Sequence, residues 1–133
     1  MFNRDSALSN RHEGRLEFFI EEKSPDLVVS RMPVRAEMKN PFGTVHAGAL
    51  IWLADVTATV LALGRAALGE NGKGFPLAVH ISTSLLSNQR EGEIRAEARF
   101  VRSGKRVSVI RTQVFGEQGA LLAEVTTTHV PAE

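Results

Sequence analysis

The chain has 133 residues, 43 % apolar and 23 % charged, the balance of one globular domain around one core, not of a disordered chain. Sixteen basic and fifteen acidic side chains leave a formal net charge of +1, which requires neither nucleic acid nor an anionic membrane as main partner. Cysteine is absent, excluding disulfides, thiolate metal sites and a cysteine nucleophile and favouring a reducing cytoplasm as location.

Residues 1–12 are polar with mixed charge and no apolar stretch, so a secretory leader is not expected. Within them 5–11 reads as one short helix, and the core is expected over about 15–130. Leu16, Phe18 and Ile20 alternate with polar residues and predict a first strand over 15–23. Ser24-Pro25-Asp26 is a turn signal. A second extended segment follows over 27–38, where Pro33 marks an edge or a bulge. Asn40-Pro41-Phe42-Gly43 puts a loop over 39–45, ahead of a long helix over about 47–67 that Gly69, Gly72 and Gly74 bring to an end.

Residues 47–63 are almost wholly apolar and near the minimum length for a membrane span. Asp55 sits at their middle with Thr57 and Thr59 beside it, and a carboxylate there is costly in lipid. A helix buried inside a soluble protein is the better reading. Beyond it, period two returns. Leu77, Val79, Ile81, Thr83 and Leu85 alternate with His80, Ser82 and Ser84. Ile94, Ala96, Ala98 and Phe100 alternate with Arg95, Glu97 and Arg99. Strands over 107–115 and 121–127 complete four, joined by turns at Gly92, Ser103-Gly104-Lys105 and Glu117-Gln118-Gly119 and read as successive hairpins. Two strands, one helix too apolar for water and four further strands predict an α+β domain: an antiparallel sheet wrapped around one long central helix.

Asp55 carries the chemical interest, because an ionised carboxylate in an apolar helix loses its hydration. The bland alternative is a buried Asp that caps a backbone or pairs with a distant Arg, and the two readings stand about even. Thr59, one turn on, puts a hydroxyl beside the carboxylate, although a threonine bonded back to its own helix is the commoner case. At the helix start, the first-turn amides of Ala47 and Gly48 lack intrahelical acceptors and suit an oxyanion or a polarised carbonyl; plain close packing explains small residues there equally well. Asp55 lies eight residues on, on the order of 12 Å along the axis. One carbonyl therefore meets both features only if they come from different subunits of a two-fold dimer. The four histidines, at 12, 46, 80 and 129, have no zinc-type spacing, and no metal or cofactor is expected. Trp52, Leu53, Leu61, Leu85 and Leu86 read as core more readily than as acyl pocket.

Residues 40–55, Asn40-Pro41-Phe42-Gly43-Thr44-Val45-His46-Ala47-Gly48 through Asp55, resemble the signature of hotdog-fold acyl-CoA thioesterases of the phenylacetyl-CoA thioesterase type. In those proteins an Asn precedes a His-Gly-Gly by six residues, and an Asp follows the His by nine. The resemblance runs from about 16 to 129. It implies a homodimer at minimum, pairing into a homotetramer, that hydrolyses acyl-CoA without a metal, CoA entering only as part of the substrate. It implies Asp55 as nucleophile or general base, the Ala47 and Gly48 amides polarising the thioester carbonyl from the other subunit, Asn40 and His46 ordering the loop, and Thr59 holding water. Arg102, Ser103, Gly104 and Lys105, helped by Arg90, would meet the CoA phosphates. Two positions depart from the pattern: Ala47 replaces the first Gly, and Ala78 stands where some relatives carry a hydroxyl. The same fold also hosts hydratases and non-catalytic acyl-CoA sensors; the Asn-His-Asp spacing disfavours the first, and the absence of a DNA-binding segment the second.

Overall fold

A computed structural model describes residues 13–133; the short helix expected over 5–11 lies outside them. Strand β1 (Phe19–Lys23) and β2 (Leu27–Pro33) precede helix α1 (Ala47–Leu63), and β3 (Pro76–Leu85), β4 (Glu93–Ser103), β5 (Ser108–Phe115) and β6 (Leu121–Pro131) follow it. All six strands form one antiparallel sheet in the order β1-β2-β4-β5-β6-β3. The α+β architecture anticipated from the order of elements is the one found.

The sheet closes on α1 through small residues. Ala96 and Ala98 of β4 and Ala123 of β6 are fully buried and let the helix lie close. Leu50, Leu53, Ala54, Thr57, Ala58 and Leu61 form the buried stripe of α1 at three- and four-residue spacing. Around its first half pack Met32, Met38, Val45, Ile94 and Val114; around its second half Val28, Ala98 and Ile110. Outward positions of β2, β4, β5 and β6 carry charges that pair with one another, as in Arg31 with Glu21 and Glu93, Arg95 with Glu97, and Arg111 with Glu124.

Four expectations are corrected. β3 and β4 are not a hairpin: β3 pairs with β6, and β4 with β2. Residues 86–92 carry the chain across the sheet, held by Leu86 and Ser87 amides on the Leu122 carbonyl, because β2 and β6 already occupy the places beside β4 and β5. Helix α1 stops at Leu63, since Gly64, Arg65 and Ala66 bond three residues back in a tightened last turn. Strand β1 begins at Phe19, as Phe18 turns its ring edge-on to Trp52, 5.3 Å between centroids. Finally Leu85 and Leu86, read as core, are 50 % and 58 % exposed, because they lie at and just past the end of edge strand β3. Pro33 ends β2 beyond its pairing with β1, where its missing N–H costs no ladder bond.

Leu53 is wholly buried between helix and sheet. Leu53→Ala is expected to lower the unfolding free energy by about 2–5 kcal/mol, read as a fall in the urea midpoint with the slope unchanged.

Candidate active site

The loop before α1 is built around Asn40. Its Oδ1 accepts the amides of Phe42 (2.9 Å) and Thr44 (3.2 Å), and its Nδ2 donates to Thr44 Oγ1 (2.6 Å). Backbone bonds from Asn40 to the Thr44 carbonyl and from Gly43 to the Asn40 carbonyl close the turn, and Gly43 takes the positive φ of 85° that it needs. Asn88 clasps the far end: its amide accepts from the Val45 N–H and donates to the Val45 carbonyl, both at 2.9 Å. Arg90 Nη1 donates to the Phe42 carbonyl at 2.6 Å. The helix is thereby started at a fixed point.

His46 is the N-cap of α1. Its amide reaches the Met38 carbonyl and its carbonyl accepts from Ala49, each at 2.9 Å, while its exposed imidazole makes no capping bond. The backbone of His46 orders the loop; its ring faces solvent. Ala47 and Gly48 are exposed. A Cβ added to Gly48 would meet nothing within 4 Å, so packing inside the chain does not require glycine there.

Asp55 lines a cleft of about 490 Å³ between α1 and the start of β3. Val56, Thr59, Val60 and Leu63 form its floor, Phe75, Pro76, Leu77 and Ala78 one wall, and Phe18 the other side. Asp55 Oδ1 is buried without a hydrogen-bond partner, and no ion pair forms at this carboxylate among the described residues. Among the described residues, neither the backbone cap nor the Arg partner that sequence alone left open is found at Asp55. Thr57, not Thr59, bonds back to its helix, Oγ1 to the Leu53 carbonyl at 2.6 Å; the Thr59 hydroxyl is left in the cleft beside Asp55. Ala78, the position lacking a hydroxyl, lies in the same cleft.

The basic residues divide between the two ends of the sheet. Arg90 adjoins the start of α1, whereas Arg102, Ser103, Gly104 and Lys105 form the exposed β4–β5 tip. The eleven residues of β4 between them span about 33 Å. Ser103, Ser108, His129 and Ala78 face one another in register, so the tip shares the Asp55 end. One chain does not bring Arg90 and the tip together.

A family model described as "Domain of unknown function (DUF4442)" matches residues 14–130. The chain belongs to this family. Separately, the chain is 29 % identical over 119 residues to the 1,4-dihydroxy-2-naphthoyl-CoA hydrolase of Escherichia coli strain K12, covering 86 % of this chain and 85 % of that protein. Its fold is that of solved hotdog thioesterases. A mutant thioesterase of Staphylococcus aureus subsp. aureus Mu50 superposes with a TM-score of 0.80 at 23 % identity, over 87 % of this chain and 93 % of that one. A hypothetical thioesterase protein of Streptococcus pneumoniae TIGR4, solved with coenzyme A, does so at 0.74 and 18 %, over 86 % and 88 %.

In this DUF4442 member the fold also assembles residues that pattern reading passed over. Phe18 and Phe75 lie outside any strand yet enclose the cleft. Asn88 gives no periodic signal, and only its place after an alternating strand marks it as a loop clamp. His129, in a run of threonines, is 2 % exposed. Its Nε2 lies 2.8 Å from Thr127 Oγ1 and its Nδ1 3.4 Å from the carbonyl of Pro76, a cleft residue. Among the described residues no group of three or more His, Cys, Asp or Glu is placed to hold a metal, and no helix is long and apolar enough to cross a membrane. The polar groove on the outer face, between Arg31, Arg95, Glu93 and Glu97, holds charges already paired with each other.

Burial pushes the His129 imidazole below its ordinary value of 6.5, against the Pro76 carbonyl and the negative charge of Asp55, which both favour the cation. The unfolded chain then takes up this proton near pH 6.5 while the folded chain resists it. The stability tied to His129 is complete above that pH and falls as acid is added below it. Between pH 7.5 and 5.5 the wild-type unfolding free energy is expected to fall more steeply than that of His129→Gln; parallel slopes would refute this linkage.

Proposed function

We propose that the chain is an acyl-CoA thioesterase, releasing a free acid and CoA, with Asp55 as its catalytic carboxylate. The observation that carries this is a carboxylate oxygen buried without a partner among the described residues, beside Thr59 in a cleft whose other lining side chains are hydrocarbon. The similar protein named as a CoA hydrolase supports the substrate class. Asp55 works either as general base, drawing a proton from water that attacks the thioester carbonyl, or as nucleophile, forming a mixed anhydride that water then opens. In both routes the C–S bond breaks, the sulfur leaves as CoA thiolate and takes up a proton, and the Thr59 hydroxyl helps hold the water.

The oxyanion needs donors that Asp55's own helix start does not supply at that distance. Nine helical positions from Ala47 to Asp55 separate them by on the order of 12 Å. Edge strand β3 supports the solution of two subunits. Its outer backbone row has no strand partner among the described residues, and Leu77, Val79, Ile81 and Leu85 are 44–59 % exposed, an edge that native proteins cover. Pairing β3 with its own copy antiparallel, about a two-fold axis near its middle, brings residues 76–78 of one subunit towards residues 83–85 of the other. Beyond residue 85 lie Asn88, Val45 and the start of the second helix. The Ala47 and Gly48 amides of one subunit then polarise the carbonyl held by Asp55 of the other. Arg90 would arrive with those amides, and Arg102 to Lys105 with Asp55, so both basic groups reach one CoA only in such a dimer. Pairing of dimers into a homotetramer and a cytoplasmic location, with no cofactor, nucleic acid or membrane partner, complete the proposal.

Asp55→Ala is expected to lose at least about a hundredfold in kcat, followed by thiol release from acyl-CoA; a variant of undiminished rate would end the assignment. Ala47→Pro deletes one amide donor at a helix position suited to proline, because His46 already has ψ of 137°. It is expected to fold normally and to lose about 10²–10³ in kcat. Mixed and reassorted, the two inactive variants should recover about a quarter of wild-type activity, since half the dimers are mixed and each holds one intact site. No recovery would mean that each site is built within one subunit.

A further inference from the structure

The walls of the Asp55 cleft carry a reading of the acyl group, which rests on the thioesterase proposal. The floor follows α1 at four-residue steps from Asp55 and Val56, through Thr59 and Val60, to Leu63. Across from it runs the start of β3. The polar side chains are Asp55 at the reacting end and Thr59 one turn on; every other lining side chain is hydrocarbon. The backbone of β3 offers little more. Pro76, Leu77 and Ala78 are in ladder register with Pro131, Val130 and His129, and the Pro76 carbonyl faces the His129 ring. Past Thr59 a hydroxyl or charged substituent on the acyl group would give up water and meet no polar side chain among the lining residues.

The dimensions set the length. Eight residues from Asp55 to Leu63 rise about 12 Å. An extended chain advances about 1.3 Å per bond, from three bonds in the 3.8 Å between successive Cα atoms, so the floor accommodates about nine bonds. The volume of about 490 Å³ lies in the range of small-molecule sites.

We infer that the acyl group is an unsubstituted hydrocarbon chain of about eight to ten carbons, laid along α1 with its carbonyl at Asp55 and its tail at Leu63. This parts the chain from its relative named for a dihydroxynaphthoyl substrate, whose two ring hydroxyls would meet only hydrocarbon side chains at the Leu63 end.

The test is kcat/KM by thiol release for straight-chain acyl-CoAs of two to sixteen carbons and for hydroxyaryl-CoAs. From four to eight carbons the value is expected to rise about two- to fourfold per methylene, then to level and decline beyond about ten to twelve. Hydroxyaryl thioesters should fall at least about tenfold below octanoyl-CoA. Leu63→Trp should cut the decanoyl-to-butyryl ratio of kcat/KM at least about tenfold, and Val60→Phe, a smaller change nearer the middle, should lower it too. A flat profile, a rise continuing to sixteen carbons, a hydroxyaryl preference or an unmoved ratio in both variants would overturn the chain assignment while leaving the thioesterase reading in place. Absence of thiol release from every acyl-CoA would overturn both.

Discussion

Helix α1 presents hydrocarbon on every side, and one six-stranded sheet covers only part of it. The stripe of Leu50, Leu53, Ala54, Ala58 and Leu61 is sealed against the sheet. Ile51, Trp52, Val56, Val60 and Leu63, on the rest of the circumference, stay half-buried. The two margins of the curled sheet, Phe18 ahead of β1 and residues 75–78 at β3, come round the helix without meeting over it. What remains is an apolar slot with one carboxylate in its floor. An orphaned carboxylate oxygen in such surroundings destabilises a fold unless something else enters the slot. That imbalance is the physical root of the active-site proposal.

The loop ahead of α1 answers a different demand. A catalytic helix start needs amides that are free and yet fixed. Here the fixing is done from behind. Asn40 spends its side chain on the turn itself, Asn88 holds both backbone groups of Val45, and Arg90 braces the Phe42 carbonyl. None of these contacts occupies the Ala47 or Gly48 amide. Rigidity and availability are compatible because the anchoring atoms belong to residues before the helix, not to its first turn.

Charge is distributed to leave the slot undisturbed. Most of the paired Arg and Glu side chains stand on the outer face of the sheet, each within reach of an opposite sign. Exposed pairs of this kind add little stability, but they keep that face soluble. The edge at β3 is the exception: Leu77, Val79, Ile81 and Leu85 are exposed beside the uncharged polar Ser82 and Ser84, and it has no Asp, Glu, Lys or Arg along residues 76–85. A long uncharged edge is an association surface by its chemistry, which is why assembly and catalysis are joined in the same proposal.

Much of this was open to sequence reasoning because the signals are local. Alternation in β4 and β6, the apolar run of α1 and the glycine turns each report on neighbouring residues, and burial repeats with the same period. The spacing from Asn40 through His46 to Asp55 was likewise readable. Strand partnership was not: the alternation of β3 fits a hairpin with β4 as well as it fits the edge beside β6, since period two names a face and not a neighbour. The placing of Leu85 and Leu86 followed the same blind spot, for an apolar residue on an edge strand looks like core until the neighbour is known. The sequence by itself determined the elements, their order and the one anomalous carboxylate, because those depend on backbone periodicity and on the cost of burying charge. Only the tertiary structure decided that Asp55 meets Phe18, Phe75 and Ala78 in one slot, that Thr59 is free while Thr57 is not, and that His129 lies behind the Pro76 wall. Those groupings join residues up to about sixty positions apart, and their closure depends on how a twisted sheet curls round a helix, which no local pattern encodes.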